Sequence, residues 1–275
     1  MLYHYFFILC YTYYIVNTIK INSSEVNQMD HMNNSCCCGE AEYFSGCLIC
    51  GAPITYRAES SIQTCSICHK EQLTNAVCEN GHFICDACHS YGTYAPVITT
   101  LRDSTEKDAL LLLEKIMDLP SVHMHGPEHH VMVGAALLTA YKNAGGAINL
   151  RESVMEMLNR GKAVPGGTCG FWGACGAGIS AGMFVSILSG ATPLTEESWG
   201  LSNQMTSKAL EAISRTGGPR CCKRDSYLAI LAAVDFVKTY FGIEMECAGV
   251  QCTHYAQNNQ CIGKRCPFWR FDDSI

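Results

Sequence analysis

Eight residues of the types that bind metal ions lie in four close pairs between positions 47 and 88 of the chain. Each pair is a CxxC or a CxxxH motif, which places two ligand atoms on one side of a tight turn. Two such pairs complete a tetrahedron, so four pairs predict two zinc ions. The predicted ligands are Cys47, Cys50, Cys65, Cys68, Cys78, His82, Cys85 and Cys88.

The spacing leaves open which pairs combine. Sequential pairing would join the first pair to the second, as in a zinc ribbon. Cross-brace pairing would join the first pair to the third and the second to the fourth. His69 and His89 directly follow ligand cysteines, so each is an alternative to His82 as the eighth ligand.

Composition limits the classes of protein that fit. The 275 residues are 48% hydrophobic and 16% charged, with a net charge of −6. This length can bury one substantial core and a small additional module. The negative charge argues against nucleic-acid binding, which needs Lys and Arg against phosphates. The 19 cysteines would suit a secreted disulfide scaffold only in a small, loop-rich protein, so we expect a cytoplasmic protein with metal-binding thiols.

The N-terminal segment is apolar and aromatic over residues 1–16. It lacks the basic region and the cleavage site of a signal peptide and is short for a membrane span. We expect residues 1–45 to be a disordered or mis-started tail, with Met29 or Met32 as the start; a signal anchor is the alternative. The adjacent cysteines at 36–38 cannot all reach one ion, so we expect them to be flexible.

Helical periodicity dominates from residue 97 onward. Apolar residues recur at helical spacing over 106–119, 150–160 and about 220–241, and Ser202 is expected to cap a helix that ends near Arg215. Residues 131–141 are nearly all apolar or small, which predicts a buried helix. Residues 163–195 are uncharged, but glycines leave too short an apolar run to cross a membrane, so we expect a buried central helix. Gly178 and Gly182 would allow close approach of a neighbouring backbone.

The expected fold is therefore mainly α. A small N-terminal double-zinc module, either zinc-ribbon or cross-brace, precedes an all-helical domain with a Cys-rich C-terminal loop. The expected bounds are a tail at 1–45, the zinc-binding module at 46–96, the helical domain at 97–268 and a tail at 269–275.

The motif HGPEHH at 125–130 opens the buried helix. Imidazole and carboxylate side chains are the usual means of moving protons near neutral pH. His125, Glu128 and His129 are therefore candidate catalytic residues, and a solvated helix cap is the alternative interpretation.

The motif GGPRCCKR at 217–224 places Cys221 and Cys222 in the first turn of a helix, beside three cations. The helix dipole and the cations favour thiolate, so both cysteines are candidate nucleophiles or ligands. Two ordinary buried cysteines are the alternative. Arg220, Lys223 and Arg224 are expected to hold an anionic substrate.

Three further cysteines lie in the C-terminal loop, at Cys252, Cys261 and Cys266, and a proline follows the last. Such a loop suits an iron–sulfur cluster, with zinc as the rival. The fourth ligand could be Cys169, Cys175, Cys221 or Cys222.

The ordered motifs HGPEHH, VPGGTCGFWGACGAG, GGPRCCKR and CIGKRCPF, preceded by the CxxC module, resemble the cysteine-rich domain of unknown function 5714 family over about residues 46–268. This resemblance implies a fold and a context, since relatives are joined to, or lie near, S-adenosylmethionine-dependent methyltransferase or radical enzymes. Such an enzyme is therefore an expected partner. The chain itself lacks a glycine-rich nucleotide loop and a CxxxCxxC motif, so it is not credited with binding S-adenosylmethionine.

These features predict a metalloprotein that is an enzyme or enzyme subunit and acts on a small molecule. The alternative is a non-catalytic adaptor whose zinc module docks on a partner enzyme. Membrane and nucleic-acid partners are not expected.

Overall fold

The computed structural model describes residues 46–269, which belong to one compact unit. Residues 1–45, with the three adjacent cysteines, and residues 270–275 lie outside this part, so the expectations for both tails stay predictions. The described residues form nine α-helices and one two-stranded sheet. A mainly α fold with an N-terminal module of clustered cysteines is confirmed.

The sheet is an antiparallel hairpin of β1 (Ile54–Thr64) and β2 (Glu71–Cys78). Ile54 lies opposite Cys78 and Thr64 lies opposite Glu71, with a register shift between Tyr56 and Ser61. One CxxC pair precedes β1 and the next follows it, so the hairpin holds the two pairs at its opposite ends.

The helices follow the hairpin in one continuous series. They are α1 (Asp86–His89), α2 (Tyr94–Arg102), α3 (Ala109–Met117), α4 (His129–Asn143), α5 (Leu150–Lys162), α6 (Thr168–Phe171), α7 (Gly176–Ser189), α8 (Glu197–Thr216) and α9 (Cys222–Phe241). Two short 3-10 turns, Tyr255–Gln257 and Gly263–Arg265, lie in the C-terminal loop.

Helix α4 is the centre of the core. Every residue from His129 to Tyr141 is buried, and the helix packs against α3, α5, α7 and α9. A helix that is apolar on all sides must be covered on all sides, which explains this position. Three of these four helices, α3, α5 and α9, begin at side-chain caps; Asp108, for example, accepts from the backbone N–H groups of Leu110 and Leu111 at the start of α3.

Helices α7 and α8 pack closely through small residues. A Cβ atom at Gly178 would lie 2.7 Å from Leu210 Cδ2, and one at Gly182 would meet Thr206 and lie 3.1 Å from the Ser202 carbonyl oxygen. The expected close approach at these glycines is confirmed. Between residues 46 and 269, no helix is both long enough and apolar enough to cross a membrane.

Two helix starts differ from the sequence-based expectation. Helix α8 begins at Glu197, and Ser202 Oγ donates to the Trp199 carbonyl inside the helix instead of capping it. The expected cap at Ser202 is therefore wrong, because residues 197–201 already belong to the same helix. Helix α9 begins at Cys222, and Cys221 is its N-cap.

Candidate metal centres and a shared cleft

The first candidate metal centre joins the first ligand pair to the third. Donor atoms of Cys47, Cys50, Cys78 and His82 all lie within 4.8 Å of one another. Cys50 Sγ lies 3.5 Å from Cys78 Sγ and 3.3 Å from His82 Nδ1. The hairpin register brings them together, because Cys78 ends β2 opposite the start of β1. Gly81, at φ +84°, allows the turn that returns His82 to the group.

The second candidate metal centre joins the second pair to the fourth, with Cys65, Cys68, Cys85 and Cys88 within the same 4.8 Å limit. Cys65 directly follows β1, while Cys85 and Cys88 lie at the start of α1 and within it. Cys68 Sγ is 3.7 Å from Cys85 Sγ, and the Cys85 N–H donates to Cys65 Sγ at 3.4 Å. A backbone N–H that points at sulfur favours thiolate, the form that binds metal.

The two groups are interleaved along the chain, which is the cross-brace arrangement. The zinc-ribbon alternative is wrong for this structure. His82 is the eighth donor; His69 and His89 belong to neither group. Each centre has four donors, and at least three of them are thiols. Each centre can therefore hold one metal ion.

The metal module lies against the helical domain. Asp86 Oδ2 accepts from the Gly166 N–H at 2.8 Å, and Thr93 Oγ1 donates to the Ser121 carbonyl at 2.6 Å. Tyr56 on β1 packs its ring 6.3 Å from that of Phe171. These contacts place the module as one wall of a cleft.

The cleft has a volume of about 390 Å³ and is lined by both parts of the protein. The module contributes apolar and polar residues of the hairpin, Asp86, His89 and three ligands of the first metal centre, Cys47, Cys78 and His82. The helical domain contributes three imidazoles, three thiols, one guanidinium and one carboxylate, from His125, His129, His130, Cys169, Cys175, Cys222, Arg220 and Asp225.

The three candidate acid–base residues do not all face this cleft. His125 and His129 line it, whereas Glu128 does not. Burial lowers the pKa of His125 to about 4, and burial also holds the pKa of His129 well below its usual range. Glu128 is fully buried and approaches His89 and His123 instead. The candidate residues of the HGPEHH motif therefore lie in two different environments. His125 and His129 line the cleft, whereas Glu128 lies in a buried group with His89 and His123.

Cys221 and Cys222 point in different directions. Cys222 lines the cleft, while Cys221 lines a second, smaller pocket. Burial raises the pKa of Cys221 to about 11 and raises that of Cys222 further. The expected thiolates are therefore disfavoured here, because loss of solvent outweighs the helix dipole and the neighbouring cations.

The three candidate substrate-binding cations also separate. Arg220 lines the cleft, with its guanidinium 5.0 Å from the Tyr56 ring centre. Lys223 is buried and donates to the Met117 carbonyl at 3.5 Å, and burial lowers its pKa to about 8. Arg224 is buried in an ion pair of 2.9 Å with Asp225. Lys223 and Arg224 thus do not line the cleft.

The C-terminal cysteines gather around the second pocket. Cys252, Cys261 and Cys266 line it together with Cys221. The C-terminal loop is held by a hydrogen bond of 2.8 Å from the Cys252 N–H to the Phe268 carbonyl. Their sulfurs are more widely spaced than those of the first two centres, since no three of them meet the 4.8 Å limit.

Sequence reasoning missed several residues that the structure places at these sites. His123 lies two positions before the HGPEHH motif, and Asn258 lies in the C-terminal loop, where it contacts both His125 and Cys221. A signal for His123 was present in the HxH spacing with His125. Asn258 had no comparable signal, because its partners are far away in sequence.

Comparison with models of known protein families gives a match. The model of a family of unknown function, DUF5714, matches residues 97–269, which contain the HGPEHH motif, the cleft cysteines and the C-terminal loop. The match begins after the metal module, whereas the motifs indicate a resemblance from about residue 46. No curated protein matches the chain, and no solved structure matches it. On the evidence of this match, the chain belongs to the DUF5714 family.

Proposed function

We propose that the protein is a metal-dependent enzyme, or a subunit of one, that binds a small anionic molecule in the cleft between the metal module and the helices. One observation carries the proposal: His125, His129, Cys222 and Arg220 line a single cleft. Concave sites with a few converging polar groups are the usual form of small-molecule sites.

Zinc is the ion that we assign to both thiolate-rich centres. One centre offers three thiols and an imidazole, and the other offers four thiols. Closed four-ligand sets of this kind are typical of structural zinc. The described cysteines are all free thiols, which supports a reducing compartment, and we propose the cytoplasm. As structural ions, the two zinc ions hold the module in place as a wall of the cleft.

Two of the histidines that line the cleft, His125 and His129, have the lone pairs that proton transfer requires. His125 Nε2 lies 3.2 Å from Asn258 Oδ1, and His129 Nδ1 lies 3.1 Å from the Gly126 carbonyl oxygen. Both partners are acceptors, so these nitrogens carry the protons. The other ring nitrogens, His125 Nδ1 and His129 Nε2, are buried and have no hydrogen-bond partner among the described residues. In the neutral imidazoles these nitrogens hold the lone pairs and are the atoms that would accept a proton.

A binding experiment tests the cleft directly. Trp172 lines the cleft and is two-thirds exposed, so a bound molecule should change its fluorescence. We expect a panel of small carboxylates and phosphates to contain a ligand whose binding weakens roughly tenfold to a hundredfold in Arg220→Ala, the effect of losing a charged hydrogen bond. Arg215→Ala, which removes an exposed arginine paired with Glu211, is the control. Binding that is equally strong in both variants would contradict the assignment of Arg220.

We also propose that the second pocket holds an iron–sulfur cluster with Cys221, Cys252, Cys261 and Cys266 as ligands. The support is that four thiols surround one small pocket at a wider spacing than at the zinc centres. A cluster is larger than a single ion and is held by four thiolates. Anaerobic preparation should yield iron, sulfide and visible absorbance, all lost in Cys261→Ser. Cys247→Ser, an exposed cysteine outside the pocket, should retain them. Unchanged iron in Cys261→Ser would refute this ligand set.

The family resemblance supports, as the partner of this protein, a methyltransferase or radical enzyme that uses S-adenosylmethionine.

An adaptor role for the module is the second candidate. It has one supporting observation, because Ile62 and Leu73 lie opposite each other on the hairpin and are each about two-thirds exposed. An adaptor would keep its cellular function in His125→Gln and lose it in Ile62→Ser, and an enzyme would show the reverse.

A further inference from the structure

A third group of metal-binding side chains lies among the described residues, apart from the two thiolate-rich centres. One donor atom from each of His89, His123 and Glu128 lies within 4.8 Å of the other two. His89 is the last residue of α1, while Glu128 immediately precedes α4. The group therefore joins the metal module to the helical domain.

The carboxylate of Glu128 is buried, with an exposed fraction of 0%. Its Oε1 accepts a hydrogen bond from the backbone N–H of His123 at 3.1 Å and lies 3.4 Å from the ring nitrogen Nδ1 of the same residue. Its Oε2 lies 3.5 Å from His89 Nδ1. Apart from these ion-pair contacts within the group, Glu128 Oε2 and the two Nδ1 nitrogens have no hydrogen-bond partner in residues 46–269. Buried polar atoms without partners are costly, and a shared cation would satisfy all three together.

Gly126 shows that the fold makes room for this carboxylate. A Cβ atom at position 126 would lie 2.5 Å from Glu128 Oε1 and would also collide with Oε2. The glycine of the HGPEHH motif thus allows Glu128 to fold back towards the two histidines. Their rings lie 4.4 Å apart between centres. The Glu128 carboxylate thus lies against Gly126, and the rings of His89 and His123 lie against each other.

We propose that His89, His123 and Glu128 bind a third ion, a divalent transition metal such as zinc or iron(II). Two imidazoles and one carboxylate suit these ions. Three protein ligands leave coordination positions open, as in catalytic rather than structural sites. His89 also lines the cleft, so this ion lies at the cleft wall. The proposal concerns metal binding alone and does not depend on the role of Arg220 or on a particular substrate.

Metal counting on the full-length protein tests the proposal. Apo-protein is dialysed against zinc and analysed for bound ions per chain, in the wild type, in His123→Ala and in the isosteric variant Glu128→Gln. We expect each variant to bind one ion fewer than the wild type. His69→Asn is the matched control, because His69 follows Cys68 as His89 follows Cys88 but lies outside the group; asparagine tolerates its φ of +58°. The control should bind as many ions as the wild type.

Cobalt substitution separates the third ion from the thiolate centres. The sulfur-to-cobalt absorbance should be equal in the wild type and in both variants, because the third ion has no sulfur ligand. An ion count unchanged in His123→Ala and Glu128→Gln would overturn the proposal and leave a plain ion-paired cluster. If Glu128→Gln does not fold, His123→Ala decides, because the His123 side chain is 26% exposed whereas that of Glu128 is fully buried.

Discussion

At the scale of single residues, His125 shows how burial sets the chemistry of the cleft. Loss of solvent, helped by the charge of Arg220, lowers its pKa from 6.5 to about 4. The unfolded chain therefore binds a proton more readily than the folded protein between these values. The contribution of neutral His125 to stability is complete above pH 6.5 and is lost as the pH falls towards 4.

We predict a pH effect that His125→Gln removes. Between pH 7 and pH 5 the free energy of unfolding of the wild type should fall by about 2 kcal/mol more than that of the variant. Urea unfolding of both proteins at the two pH values measures this difference, and effects of metal loss are common to both. Equal losses in the two proteins would show that His125 is not held neutral by the fold.

The protonation state of the two cysteines of GGPRCCKR could not be predicted from the sequence. The motif correctly places a helix start and nearby cations, and from these the thiolate form is expected. The two side chains line different pockets, and elements distant in sequence bury Cys221 and partly bury Cys222. Burial depends on contacts far away in sequence, so its effect on pKa was not predictable.

At the scale of elements, the packing of α7 against α8 depends on Gly182. We predict that Gly182→Ala lowers the free energy of unfolding by about 1–3 kcal/mol, because its Cβ meets Thr206 and the backbone at Ser202. Gly200→Ala is the control, since nothing lies within 4 Å of its Cβ, and it should stabilise α8 by about 0.5–1 kcal/mol. Thermal or urea unfolding distinguishes the two. Similar effects of both substitutions would contradict this packing.

The helices themselves were largely predictable from their apolar spacing. Helix α4 was recognised because residues 131–141 are apolar or small on all sides. Helix α7 was expected as a buried helix because its stretch is uncharged and its glycines leave too short an apolar run for a membrane span. The start of α8 was missed because Ser202 resembles a cap, while the residues that begin the helix, Glu197 to Leu201, carry no stronger signal. Local patterns identify a helix better than its first residue.

At the scale of the whole molecule, the crossed pairing of ligands organises the N-terminal module. The sequence predicted eight ligands and two centres, but both pairings satisfy the spacing. The hairpin register decides between them, because it sets Cys78 beside the first CxxC pair and leaves Cys65 at the other end. Strand register is a property of the folded hairpin, so this choice required the structure.

Paired substitutions in cobalt-loaded protein test this central claim most directly. Cys50→Ser combined with Cys78→Ser removes ligands from one centre, whereas Cys50→Ser combined with Cys65→Ser removes ligands from both. We predict that the first double variant keeps about half of the sulfur-to-cobalt absorbance contributed by the module and that the second loses nearly all of it. The opposite order, with the module absorbance lost in the first variant and half kept in the second, would contradict the crossed arrangement.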